Sequence, residues 1–171
     1  MALTLVLGGA RSGKSTYALE AAQINARARG AKLVMLATAE ALDDDMKDRI
    51  ARHKAERGPD WETIEVSLDL GGAVGRLQPD TVAVVDCLTL WVSNLMMKDQ
   101  DIEAAGAALL ETLAHCRCPL WMVSNEVGLG VVPDNALARR FRDVCGRLHR
   151  QIAAQAEHVV MLVAGLPLAL K

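Results

Sequence analysis

Short blocks of continuous apolar residues recur along the chain. Longer stretches separate them, in which apolar positions return every three or four residues. Leu3–Leu7, Lys32–Ala37, Thr81–Asp86, Leu120–Ser124 and His158–Ala164 are blocks of the first kind. Runs this short and this apolar suit strands covered on both faces. Trp61–Val66 differs, with Trp61, Thr63 and Glu65 on one face and Glu62, Ile64 and Val66 on the other. Between these blocks the spacing predicts helices. One runs from Ser15 to about Arg29, with an apolar stripe of Ala18, Leu19, Ala22 and Ile24, and Gly30 stops it. A polar one opens at Asp43-Asp44-Asp45 and runs to about Arg57, acidic in its first turn and basic in its last. Asp69–Leu77 reads as a short helix despite Gly71-Gly72, and Leu88–Met97 and Asp101–Cys116 as two more. Asp134–Ala156 is a long helix with Asp134 as its expected N-cap. A Gly165-Leu166-Pro167 turn leads to a short terminal segment. Strand and helix alternate throughout, which predicts an α/β fold with a mostly parallel sheet. No linker, repeat or low-complexity run interrupts the pattern, so residues 1–171 are expected to form one domain.

The first strand block runs straight into Gly8-Gly9-Ala10-Arg11-Ser12-Gly13-Lys14-Ser15, and a helical pattern follows. This is G-x-x-x-x-G-K-[ST] set between a strand and a helix, the context of a phosphate-binding loop. Glycines at 8, 9 and 13 are expected to free the backbone so that its N–H groups converge on phosphate oxygens. The opening of the next helix adds unpaired amides and the positive end of its dipole. In that reading Lys14 reaches the outer phosphates and the Ser15 hydroxyl ligates Mg²⁺. The chain is expected to bind a nucleoside triphosphate.

Composition narrows the classes. The 171 residues are 51% hydrophobic and 23% charged, with a formal net charge of −2. That balance gives no electrostatic footprint for nucleic acid, and no Lys/Arg block appears. The longest apolar runs, such as 159–170, are too short to span a bilayer. The N-terminal apolar run has no basic region before it and reads as a core strand instead of a signal peptide. The four cysteines, Cys87, Cys116, Cys118 and Cys145, are too scattered for a disulfide framework. Cys116 and Cys118 lack the second pair that a structural zinc site requires. A cytoplasmic location is therefore expected.

Three further groups could carry chemistry. Asp86 ends the apolar run Val82-Ala83-Val84-Val85, as a Walker B carboxylate beside Mg²⁺ would; the competing reading is an N-cap for the helix beginning at Leu88. The stretch Asn125-Glu126-Val127-Gly128 lies at the carboxyl end of a buried strand, where open α/β sheets bind ligands. Asn125 and Glu126 could contact substrate or order a water there, or simply form a turn. Arg49, His53 and Arg57 share one helix face at i, i+4 spacing. Such a stripe can hold polyphosphate, yet Asp45–Arg49 and Asp48–Arg52 also fit ordinary ion pairs on a wet face. The residues alone leave His53 open. Arg139, Arg142 and Arg150 on the long helix are equally compatible with phosphates and with solvent.

Taken in order, these motifs resemble a known family. They are the phosphate loop, Asp44-Asp45-Met46 with Arg49-Ile50-Ala51-Arg52-His53, and Trp61 through Glu65. After them come Asp86-Cys87-Leu88-Thr89-Leu90-Trp91 with Asn94-Leu95, then Asn125-Glu126-Val127-Gly128 with Gly130 and Pro133. Phe141-Arg142-Asp143 with Gly146 completes the series. The resemblance is to the bifunctional adenosylcobinamide kinase / adenosylcobinamide-phosphate guanylyltransferase of cobalamin biosynthesis. It implies a RecA-like sheet, phosphorylation of adenosylcobinamide by ATP or GTP, and then transfer of GMP from GTP through a covalent GMP–histidine. The histidine so implied is His53, which alone fits the Arg-Ile-x-x-His spacing because Arg52 precedes it. His115, His149 and His158 fall outside the family's motifs. The resemblance also implies nucleotide contacts at Gly8–Ser15, at Ala37, Thr38 and Ala39, at Lys54, Ala55, Glu56 and Arg57, and at Glu65 and Asp86. A homo-oligomer, a trimer, is implied as well. Two rival expectations are a small-molecule kinase without nucleotidyl transfer and a nucleotide-switch binding module.

Overall fold

In the computed structural model of the chain, residues 2–40 and 44–171 are described. The side chains of Asp45, Met46, Arg49, Ile50, Arg52, His53 and Glu56 lie outside the description. The elements follow in the order β1 (Leu3–Gly8), α1 (Lys14–Arg29), β2 (Lys32–Ala37), α2 (Asp44–Arg57), β3 (Trp61–Glu65), α3 (Leu70–Gly75) and β4 (Thr81–Asp86). Then come α4 (Leu88–Met97), α5 (Ile102–His115), β5 (Leu120–Asn125), α6 (Ala136–Gln155), β6 (His158–Val163) and β7 (Leu166–Ala169).

The strands form one seven-stranded sheet in the order β3-β2-β4-β5-β1-β6-β7. All neighbours are parallel except β6 and β7, which form an antiparallel hairpin. The expected α/β architecture is thus the one observed, and the terminal segment beyond Gly165 proves to be its edge strand. Every residue of β1 is buried. Leu3, Leu5 and Leu7 join a core beneath α3–α6, whereas Val6 faces α1 across the other side of the sheet. Continuous apolar runs and two-faced burial therefore go together, as they must for central parallel strands.

Two local expectations are corrected. The buried face of α1 consists of Ala18, Ala22 and Ala26, while Ile24 is 69% exposed. Two residues along a helix turn the side chain about 200°, so Ile24 points away from the face that holds Ala22. Small side chains let α1 lie close against β4 and β5. At α6 the N-cap is Asn135, whose Oδ1 accepts from the Ala138 N–H at 2.8 Å, so Asp134 stands outside the helix. Asp and Asn cap about equally well, and the extended backbone at 135 selects between them. At α3 and α5 the caps are Asp69, accepting from Gly72, and Asp101, accepting from Ala104.

The strand order decides what can meet at the carboxyl edge of the sheet. β5 lies between β1 and β4, with Gly8 opposite Asn125 and Asp86 opposite Val123. The phosphate loop and Asp86 are thus two strand spacings apart, about 10 Å, with Asn125 between them. On the other side of β4, Ala37 pairs with Asp86 and with Glu65. Five strands thus end together along this edge.

Candidate active site

The loop between β1 and α1 is shaped by two glycines and one arginine. Gly13 caps α1 at φ 90°, a left-handed conformation that glycine adopts without cost. Gly8 is needed for a different reason: a β-carbon there would lie 2.9 Å from the Leu162 carbonyl oxygen and 2.4 Å from Ser12 Oγ. Gly9 carries neither constraint, contrary to the expectation for all three, and Arg11 takes the other left-handed position at φ 56°. The turn between β6 and β7 packs on this loop, where the Gly165 N–H donates to the Ser12 carbonyl at 3.1 Å. Gly8→Ala is expected to lower stability by about 1–3 kcal/mol through overpacking, and to weaken nucleotide binding as the loop shifts. Gly9→Ala, with no protein atom within 4 Å of its new methyl, serves as the control for stability. Thermal unfolding and nucleotide titration of both variants check this.

A cleft of about 500 Å³ opens at the strand ends. Lys14, Ser15, Asp86 and Asn125 line one side of it. Ala37, Ala39, Lys54, Arg57 and Glu65 line it as well, so nine of the anticipated residues converge on one space. Lys14 is buried, and its Nζ donates to the Gly9 carbonyl at 3.1 Å, folded back over its own loop. Arg57 donates from Nη2 to the Thr63 hydroxyl at 3.5 Å, which ties the last turn of α2 to β3. Burial pushes the Arg57 pKa down, and the Asp86 carboxylate opposes that shift. A guanidinium that remains cationic in a half-buried cleft facing phosphate is a strong ligand for it.

Other anticipated residues stand elsewhere. Gly8–Gly13, Ala55 and Glu126 do not line the cleft. The Glu126 N–H donates to the Gly8 carbonyl at 2.9 Å, and its carboxylate accepts from the Gly128 N–H, so Glu126 braces its own loop. Thr38 is fully buried. Its hydroxyl donates to the Cys87 carbonyl at 2.7 Å and accepts from the Cys87 N–H at 2.8 Å, across a cis Asp86–Cys87 peptide. Asn94 donates to the Thr38 carbonyl at 2.8 Å and to the Ser67 carbonyl at 3.2 Å. Thr38 and Asn94 therefore lock the ends of β2 and β4 and the segment after β3 into one frame. The N-cap of α4 is Cys87, not Asp86, which leaves the Asp86 carboxylate on the cleft. The residues His53 and Glu56 belong to α2 by backbone, and their side chains lie outside the described residues.

Several further lining residues were not singled out as site residues, Thr63 and Leu90 lying within motifs and Glu40 and Ser67 outside them. Glu40, Thr63, Ser67 and Leu90 all face the cleft. Glu40 is paired with Lys98, the C-cap of α4, and hydrogen bonds from Lys98 and Ser67 hold its carboxyl below the usual carboxylate range. Behind Asn125, Ser124 Oγ and His149 Nε2 hydrogen-bond at 2.6 Å, both buried. Burial keeps the His149 imidazole below its ordinary pKa, so it stays neutral at physiological pH. Cys116 and Cys118 are free thiols with their sulfurs 3.6 Å apart. Among the described residues no group of three or more His, Cys, Asp or Glu side chains could hold a metal ion, and no helix is long and apolar enough to cross a membrane.

Residues 4–170 match the cobinamide kinase / cobinamide phosphate guanyltransferase family, CobU. The chain belongs to this family. The bifunctional adenosylcobalamin biosynthesis protein CobP of Pseudomonas aeruginosa is 44% identical over 170 residues, covering 98% of this chain and 96% of that protein. Two proteins named bifunctional adenosylcobalamin biosynthesis protein CobU, from Escherichia coli and Salmonella typhimurium, are 37% and 38% identical, each match covering 99% of both chains. Among solved structures, the flagellar accessory protein FlaH from Methanocaldococcus jannaschii superposes with a TM-score of 0.56 at 14% identity, covering 99% of this chain and 78% of that one. A KaiC-like protein from Pyrococcus horikoshii gives 0.51 at 15% identity, covering 94% and 70%. These two likenesses show the fold alone, a mostly parallel sheet flanked by helices. The resemblance seen in the sequence and the match over nearly the whole chain therefore agree on the family and on its enzyme class.

Proposed function

We propose that this family member catalyses both transfers in one domain: phosphorylation of adenosylcobinamide, then guanylylation of the product. The observation that supports this most is the two-sided cleft. Lys14, Ser15 and Asp86 face it from the phosphate-loop side, and Lys54 and Arg57 face it from the helix whose backbone carries His53.

In the first reaction the aminopropanol hydroxyl of adenosylcobinamide forms a bond to the γ-phosphorus of ATP or GTP. The bond from that phosphorus to the β–γ bridging oxygen breaks, the hydroxyl proton passes to solvent, and the nucleoside diphosphate leaves. Lys14 and the loop amides hold the triphosphate in line, since positioning and charge stabilisation are most of what phosphoryl transfer needs. Ser15 and Asp86 present a hydroxyl and a carboxylate to the same cleft, oxygen donors that suit a hard cation. They would hold Mg²⁺, which neutralises developing phosphate charge when bound.

In the second reaction a neutral His53 nitrogen attacks the α-phosphorus of GTP, and pyrophosphate departs. The phosphate oxygen of adenosylcobinamide phosphate then attacks the same phosphorus, the P–N bond breaks and adenosyl-GDP-cobinamide forms. Covalent catalysis divides one hard displacement into two easier ones. Lys54 and Arg57 are placed to stabilise charge on the transferring group, and their cationic charge favours neutral imidazole. Nucleotide contacts from 37–39 would fall to Ala37 and Ala39, with Thr38 framing them. Assembly as a trimer, which the resemblance implies, and a cytoplasmic location, expected from the scattered cysteines, belong to the same reading.

Two labels test it. With adenosylcobinamide, γ-labelled ATP is expected to give a labelled corrinoid phosphate, and α-labelled GTP a labelled GDP-corrinoid. Label from the γ position alone would leave a simple kinase, and label from neither would leave a nucleotide-binding module.

A further inference from the structure

A second concavity, of about 420 Å³, lies between α4 and α6. Ser93, Met96 and Met97 of α4 face Leu137, Ala138 and Phe141 of α6 across it. Two segments of the chain run from the nucleotide cleft to it. Leu90 lines the cleft, and Ser93 and Met97 follow at three and seven residues, on the same face of α4. Asn125 also lines the cleft, and the loop that leaves it ends at Asn135, which borders the groove.

That loop is fastened at both ends. Glu126 binds Gly8 and Gly128 at its start. At its end Arg139 Nη1 donates to the carbonyls of Pro133 and Asp134, at 2.9 and 2.8 Å. Between these anchors Leu129, Val131 and Val132 are 80%, 96% and 60% exposed, and Leu137 and Met97 beside the groove are 66% and 68% exposed. So many large aliphatic side chains held in water along one fixed path form a surface that a ligand would cover favourably.

We infer that this groove and loop seat the macrocycle of the acceptor, an amphipathic corrinoid fringed with methyl groups and amide arms. The inference rests on the reading given under Proposed function. A cleft of about 500 Å³ is of the size that one nucleotide fills, so the acceptor must lie outside it. Its hydroxyl has to arrive at the phosphate end, and α4 beyond Leu90 and the loop beyond Asn125 both lead from the cleft to the groove. Methyl edges fit the Met and Phe walls, and amide arms can pair with Ser93 and Asn135.

The test uses full-length Val131→Glu and Leu137→Glu proteins, with Leu137→Met as the conservative control. Kinase KM for cobinamide, affinity for a fluorescent GTP analogue and mass in solution are measured together. Either glutamate is expected to raise the cobinamide KM by roughly tenfold or more, as the loss of apolar contacts in a pocket does. Nucleotide affinity, mass and the Leu137→Met enzyme should match wild type. Unchanged cobinamide KM in both glutamate variants overturns the inference. So does a rise in KM that tracks a fall in mass and vanishes at higher protein concentration, because the surface would then be a contact between copies of the chain. Wild-type enzyme that phosphorylates no cobinamide overturns the underlying reading, and this inference with it.

Discussion

His53→Ala protein incubated with α-labelled GTP and Mg²⁺ is expected to retain no covalent label. Wild type should carry one label that survives base and is lost in acid, as a phosphoramidate is. The same variant should still phosphorylate adenosylcobinamide at close to the wild-type rate, because the attack on the γ-phosphorus uses the substrate hydroxyl. That split distinguishes a nucleophile from a residue that merely supports the cleft, whose loss would lower both reactions together. The motivating observation is the position of α2. Its Lys54 and Arg57 reach the cleft, and Arg57 is held by Thr63, so the helix bearing His53 borders the cleft along its last turn. Labelled His53→Ala protein would end the guanylylation mechanism proposed for this residue. In the proposed mechanism the two reactions address different phosphorus atoms, α and γ, and on that reading either the nucleotide or α2 shifts between them, a motion of the kind by which many enzymes close on substrate.

Lys14→Ala is expected to lower both activities, each by roughly 10²–10³-fold, the cost of removing one preorganised charge aimed at a transition state. Nucleotide affinity should fall as well, because the ammonium that folds over the Gly9 carbonyl is the charge offered to the phosphates. Steady-state kinetics with each nucleotide check the pair. Undiminished phosphoryl transfer by Lys14→Ala would remove the phosphate loop from the mechanism. The two variants thus separate the group common to both reactions from the group particular to one.

How much of this was legible in the chain depends on the range of the interactions involved. Helices and strands followed from period and punctuation, because side-chain direction repeats at 3.6 and 2 residues whatever the tertiary fold. The phosphate loop was legible for the same reason: strand, turn and helix N-terminus are contiguous, and the spacing carries the geometry. Errors fell where a local rule had two equal candidates. Asp134 and Asn135 cap alike, and only the backbone at 135 made the choice. Ile24 is as apolar as a core residue, yet close packing of α1 on the sheet needed alanines. Thr38 looked like a contact and is a buried brace, because its hydroxyl is spent on both sides of the Cys87 peptide.

The sequence by itself determined the alternation of elements, the phosphate loop, the family and the residues worth testing, since each is written in contiguous motifs. The tertiary structure decided which of them meet. Placing β5 between β1 and β4 sets Asn125 between the loop and Asp86, and placing β2 and β3 beyond β4 brings Glu65, Lys54 and Arg57 to the opposite wall. Strand order depends on pairing between segments tens of residues apart, where burial of whole faces governs and no short motif records the outcome. The triphosphate anchor was visible in eight residues; the site built around it required the sheet.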